Sequence, residues 1–121
     1  MIAKYDEQIA RYEYRLQRWQ VAVRLVERLS RARGAGDLYI FQLDENLPVP
    51  QRALEYWSGC AAQAVQIVMP PKETDEFHRA TYATGELWAS VRTQREWVAK
   101  HNRLLSQYVE NVIEAHMSAN P

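Results

Sequence analysis

The sequence predicts an all-α fold: a three-helix arrangement with two long helices (about 2–33 and 74–116) and one shorter, buried helix (about 50–69), packed as in a coiled coil. Three observations lead there. The first is periodicity. Ile2, Tyr5, Ile9, Tyr12, Leu16, Trp19, Val23 and Val26 are separated by steps of 3, 4, 3, 4, 3, 4 and 3, the repeat of a coiled-coil seam. The second is punctuation, because Gly34 and Gly36 and the prolines at 48, 50, 70 and 71 leave three long stretches largely uninterrupted. The third is composition: 47% hydrophobic and 25% charged residues in a chain of 121 fit one folded domain, residues 1–121, with a single core.

The first helix is expected to stop at Gly34 and Gly36. Its character changes halfway. Lys4, Arg11, Arg15 and Arg18 line one flank of the seam, whereas further along the same angular sector holds Ala22, Leu25 and Leu29. Arg24, Arg28 and Arg31 fall in a different sector. A narrow seam that broadens in this way marks a helix passing from one neighbour to two.

Residues 34–49 read as an apolar connecting loop. Its middle, "LYIFQL" (38–43), is either a loop laid over the bundle or a short strand. The loop is favoured, since a lone strand is not stable and this chain offers it no partner. A strand would have to pair with a second copy or another protein.

Pro50 suits the first turn of the second helix, where its missing N–H is not needed. Leu54, Trp57, Ala61, Ala64, Val65 and Val68 share one face, widened by Tyr56, Cys60 and Ile67. The small residues of "SGCAA" permit close approach of a neighbour, although Gly59 sacrifices about 1 kcal/mol of helix propensity. This helix is expected to be the most buried. Pro70 and Pro71 end it, and Thr74 or Asp75 is expected to cap the third helix. The third stripe runs through Phe77, Ala80, Leu87, Trp88, Val91, Val98, Leu105, Val109 and Val112, flanked by Trp97, Leu104 and Tyr108. Gln94, His101 and Asn102 intrude on it, and Gly85 is a weak spot where a kink is tolerated.

At about 1.5 Å per residue, the helices measure roughly 48, 30 and 60 Å. Stacked up-down-up, they leave the N-terminal seam overhanging one end and the Trp97–Val112 stripe overhanging the other. Exposed stripes of this size mark interfaces, and a two-fold homodimer would cover both. Its expected contacts are Ile9, Tyr12, Leu16, Trp19, Leu105 and Tyr108. The alternative folds helices one and three antiparallel within one chain.

Little chemistry is written in the sequence. His78, His101 and His116 lie at no metal-ligand spacing with one another or with Cys60. Asp75 and His78 sit at i, i+3, but a di-iron site needs a second such pair and further inward glutamates. Cys60 reads as a small core side chain and His101 as a partly buried polar contact, and "GAGD" is too short for a phosphate loop. No enzyme activity, metal or cofactor is expected. A single cysteine, no apolar run near 20 residues and no leader sequence point to a cytoplasmic protein without membrane contact.

The net charge of zero is unevenly spread. Residues 1–33 carry Lys4 and seven arginines against four acids, whereas residues 34–76 carry two bases against seven acids. With four Trp and seven Tyr against two Phe, the composition favours amphipathic aromatics, which suit interfaces. The expected function is a protein–protein interaction module (an adaptor, regulatory subunit or small inhibitor). It would engage another protein through Arg11, Arg15, Arg18 and Tyr14. The rival is a nucleic-acid-binding helix that uses those arginines together with the aromatics of the first helix.

Overall fold

The computed structural model describes residues 2–82 and 90–117 and is all-helical there, with four helices: α1 (Ile2–Asp44), α2 (Gln51–Val68), α3 (Pro71–Thr81) and α4 (Val91–Met117). The expected bounds of the first and third helices both move. The first helix does not stop at Gly34 and Gly36 but continues for about two more turns, ending at Asp44. Other helices hold it in place through the glycines. The Trp57 indole N–H donates to the Ala32 carbonyl (2.8 Å), and the Asn102 amide donates to the Arg33 carbonyl (3.3 Å) and to Asp37 (2.9 Å). Gly36 is there for proximity. A Cβ on it would lie 2.2 Å from Asn102 Oδ1 and 2.7 Å from Trp57 Cζ2.

The segment 38–43 is therefore neither loop nor strand. Leu25, Leu29, Ala32, Gly36, Tyr39 and Leu43 form one inward face at alternating steps of four and three, each buried or half-buried. Leu38 and Phe41 point outward. The real stop is Asn46, with φ 60°. Its N–H bonds the Leu43 carbonyl (2.9 Å) and the Leu47 N–H bonds the Gln42 carbonyl (3.2 Å), a Schellman closure followed by Pro48. The connection to α2 thus shrinks from 34–49 to residues 45–50. It is pinned by Gln94, whose amide accepts from the Val49 N–H and donates to the Val49 carbonyl, both at 3.1 Å.

The second correction divides the expected helix 74–116. α3 begins at Pro71, and Thr74 lies inside it, its hydroxyl bonded back to the Pro70 carbonyl (3.1 Å) rather than capping. α4 begins afresh behind Ser90, whose hydroxyl accepts the Thr93 N–H (3.2 Å), the usual way an orphan N–H is satisfied at a helix start. Gly85, Leu87 and Trp88 lie outside the described residues.

α1 and α4 run antiparallel. Asp44 pairs with Arg95 at one end, Gly36 meets Asn102 midway, and Trp19 and Val26 line a groove with Ile113 near the other. α2 packs on α1 and α3, and α3 on α4. The within-chain antiparallel alternative is the one adopted, and it removes two expected dimer contacts. Leu105 (0% exposed) and Tyr108 (1%) belong to the chain's own core, and Tyr108 donates to Glu76 on α3 (2.6 Å). α4, not α2, is the most enclosed helix. The α2 face holding Leu54, Trp57, Ala61 and Val65 is buried as expected, but Tyr56, Cys60 and Ile67 face solvent. Among the described residues, no helix is long and apolar enough to cross a membrane.

Candidate functional site

α1 is in register with the core only from Ala22 onward. From Ala3 to Val21 every residue is exposed except half-buried Arg18. We call this N-terminal half the arm, and the four-helix remainder the body. α4 comes alongside only the base of the arm, where Tyr14, Arg18 and Val21 lie near His116. The arm therefore carries its apolar residues in the open. Tyr5 is 67% exposed, Ile9 53%, Tyr12 68%, Leu16 43% and Trp19 47%. At the body end the stripe opens into a groove of about 270 Å³ lined chiefly by Trp19, Ala22, Val23, Val26 and Ile113.

The arm's charges are sorted around this stripe. Counting back by sevens from the inward-facing Leu25 reaches Arg18, Arg11 and Lys4, and from Leu29 it reaches Ala22 and Arg15. The sector that faces the core in the body thus turns basic where α4 ends. On the other side of the stripe, again by sevens, come Asp6, Glu13, Gln20 and Glu27, all exposed. This acidic flank was missed in reading the sequence, although its seven-residue repeat was the available signal. The Arg18 guanidinium lies 5.7 Å from the centre of the Tyr14 ring, a cation–π contact.

Of the expected site residues, Arg11, Tyr14, Arg15 and Arg18 share the arm with Ile9, Tyr12, Leu16 and Trp19. Leu105 and Tyr108 do not join them. The acids Asp44 and Glu45 stand at the opposite end of α1, about 43 Å from Arg15 at helical rise. The ion pairs found among the described residues, Arg92–Glu96 and Arg95–Asp44, involve none of the arm's arginines.

No known family model, curated protein or solved structure matches this chain.

The remaining candidates are absorbed by the fold. His101 is fully buried, more so than expected, between Trp97 (ring centres 4.2 Å apart), Phe77 (5.1 Å) and Trp57 (5.6 Å). Burial pushes its pKa below the ordinary histidine value, the Trp97 carbonyl opposes the shift, and Lys100 adds to it. The ring is thus neutral, with Nδ1–H donating to the Trp97 carbonyl (2.8 Å). The Tyr108 hydroxyl is held protonated, first by burial and then by its bond to Glu76. Cys60 is exposed beside Tyr56 rather than in the core. His78 packs edge-on against Tyr82 (6.0 Å), and no group of three potential metal ligands occurs among the described residues.

Proposed function

We propose that the protein is a non-enzymatic protein–protein interaction module, in kind an adaptor, regulatory subunit or small inhibitor. It acts as a homodimer and occupies a partner's surface through the arm of α1. The observation that carries this reading is the uncovered stripe from Tyr5 to Val23, set on a helix whose other half packs one face into a core. Removing apolar surface from water contributes about 25 cal/mol per Å². A row of tyrosine, tryptophan and branched aliphatic side chains therefore has a large gain available from association and little from the described residues of its own chain. Arg15 stands beside the stripe and Arg11, Arg18 and Tyr14 lie further round the same exposed arm; these residue types concentrate binding energy, and the arginines' positive charge selects an acidic protein surface.

Nucleic-acid binding is the second reading, and it rests on arginines lying near aromatics. Tyr5, Tyr12 and Trp19 belong to the apolar stripe, however, and the cation–π contact of the arm is Arg18 with Tyr14. Recovering the tagged chain from its native host, with a photo-crosslinker at Tyr14, tests the proposal. Crosslinks to a second polypeptide are expected. Arg11→Glu should abolish that capture while shifting the chain's stability by no more than about 0.5 kcal/mol. Tight binding to DNA or RNA that weakens with salt, by about 0.7–0.9 in log slope per phosphate contact, would overturn the proposal.

A further inference from the structure

We infer that the groove between α1 and α2 binds a small amphipathic anion, an aryl or alkyl carboxylate, with its charge on Arg28 and Arg31 and its apolar body against Tyr39 and Tyr56. This site lies on the body, apart from the arm, and goes beyond the interaction role proposed above.

α2 turns back along α1 after the short connection, so Trp57 meets Ala32 and the later turns of α2 reach the level of Arg31 and Arg28. The groove between the two helices measures about 330 Å³, within the range of small-molecule sites. Its floor is made of small side chains, Ala32 and Ala35 from α1 and Ala61 and Ala64 from α2, all buried or half-buried. Tyr39 and Tyr56 line the end toward the connection, the Tyr39 ring edge-on to Trp57 at 6.0 Å. Arg28 and Arg31 line the other end. At helical rise Arg31 and Tyr39 are about 12 Å apart. The groove is thus elongated, basic at one end and aromatic at the other.

Its positive charge is uncompensated. Both arginines are exposed, and neither joins an ion pair among the described residues. Three residues apart on one helix, they are neighbours of like charge, an unfavourable pairing until an anion lies between them. The chain supplies none. The helical neighbours of Arg28 are Arg24, Leu25, Arg31 and Ala32. Glu27, one turn before Arg31, lines the groove at Ile113 instead. The one acid of α2, Glu55, accepts from Gln51 and lines a separate pocket with His78. Guanidinium groups match a planar carboxylate with paired, charge-assisted hydrogen bonds. An apolar body behind that carboxylate would remove alanine and tyrosine surface from water. A bare anion leaves that surface wet, and a neutral apolar molecule leaves the arginines unpaired.

The test uses phenylhexanoate and the full chain, and follows alkylation of Cys60, the single cysteine, by neutral N-ethylmaleimide. The Cys60 thiol is exposed and lines the groove, so an occupant shields it. Protection is read as the ratio of rates without and with ligand. Binding is expected with a Kd on the order of 100 µM. At about ten times that concentration, alkylation should slow about tenfold. Phenylhexanol, which lacks the charge, and inorganic phosphate, which lacks the body, should each bind at least about tenfold more weakly. The double variant Arg28→Gln, Arg31→Gln should weaken phenylhexanoate by about tenfold or more with its helical signal unchanged. Leu16→Glu, on the arm, should leave the protection as it is. Equal protection by phenylhexanol or by phosphate, or undiminished protection in the double variant, would overturn the amphipathic anion as the ligand. Protection lost in Leu16→Glu, or absent with phenylhexanoate up to about 5 mM, would overturn the groove as the site.

Discussion

The arm and the body half of α1 belong to one unbroken helix, yet they are helical for different reasons. The arm holds residues with good helix propensity, Ala, Arg, Gln, Glu and Leu, and makes almost no contact outside its own turns. The body half contains Gly34 and Gly36, which by propensity should break it, and it is kept by Trp57, Asn102 and the core. Continuity of secondary structure therefore does not make a single structural unit. Half of this helix serves the fold, and the other half is carried by the fold for use elsewhere.

Substitutions can break or sharpen that contrast. The largest effect is expected from comparing two tryptophans. Trp57→Ala removes a buried indole and its bond to Ala32 and should cost about 3–5 kcal/mol in a denaturant melt. Trp19→Ala, at 47% exposure, should cost less than about 1 kcal/mol in the dissociated chain. Equal losses would show that the arm is part of the fold.

Two glycines make the next comparison. Gly36→Ala drives a methyl into Asn102 and Trp57 and should destabilise by about 1–3 kcal/mol. His101 then reports on the body alone through pH. Its folded pKa lies below the ordinary value of 6.5, so the unfolded chain takes up the proton first. Stability should hold above about pH 6.5 and fall as pH drops toward the folded value, by up to about 1.4 kcal/mol per unit. His101→Leu should flatten that acid limb. The smallest effect is a gain. A Cβ at Gly34 meets nothing within 4 Å, so Gly34→Ala should stabilise by about 0.5–1 kcal/mol.

The arm was legible in the sequence because its pattern is local: eight apolar residues from Ile2 to Val26, at steps of three and four, fix a face without reference to the rest of the chain. Trp57 and its face on α2 were legible for the same reason. Gly34 and Gly36 misled because what keeps them helical comes from residues 57 and 102, far along the chain. The true terminators, Asn46 before Pro48 and the Ser90 cap, were present in the sequence. They were outweighed by a glycine pair on one side and by a continuous apolar stripe on the other. Leu105 and Tyr108 went to the wrong interface because helix lengths alone do not decide whether two stripes meet within a chain or between chains. Gln94 and Asn102 looked like interruptions of a stripe. Each turned out to bond backbone that only the assembled fold brings near.

Those same bonds impose an order of events. Ala32 to Trp57, Val49 to Gln94 and Arg33 to Asn102 each join residues 25 or more apart, so they form only after long loops have closed. The arm depends on turn-to-turn bonds alone, which form within about a microsecond. In a refolding chain its helix should flicker in and out of existence long before the glycine region settles. In the folded chain its amides should exchange with solvent while those around Gly36 remain protected until the whole body opens. α1 is a single object in space and two objects in time.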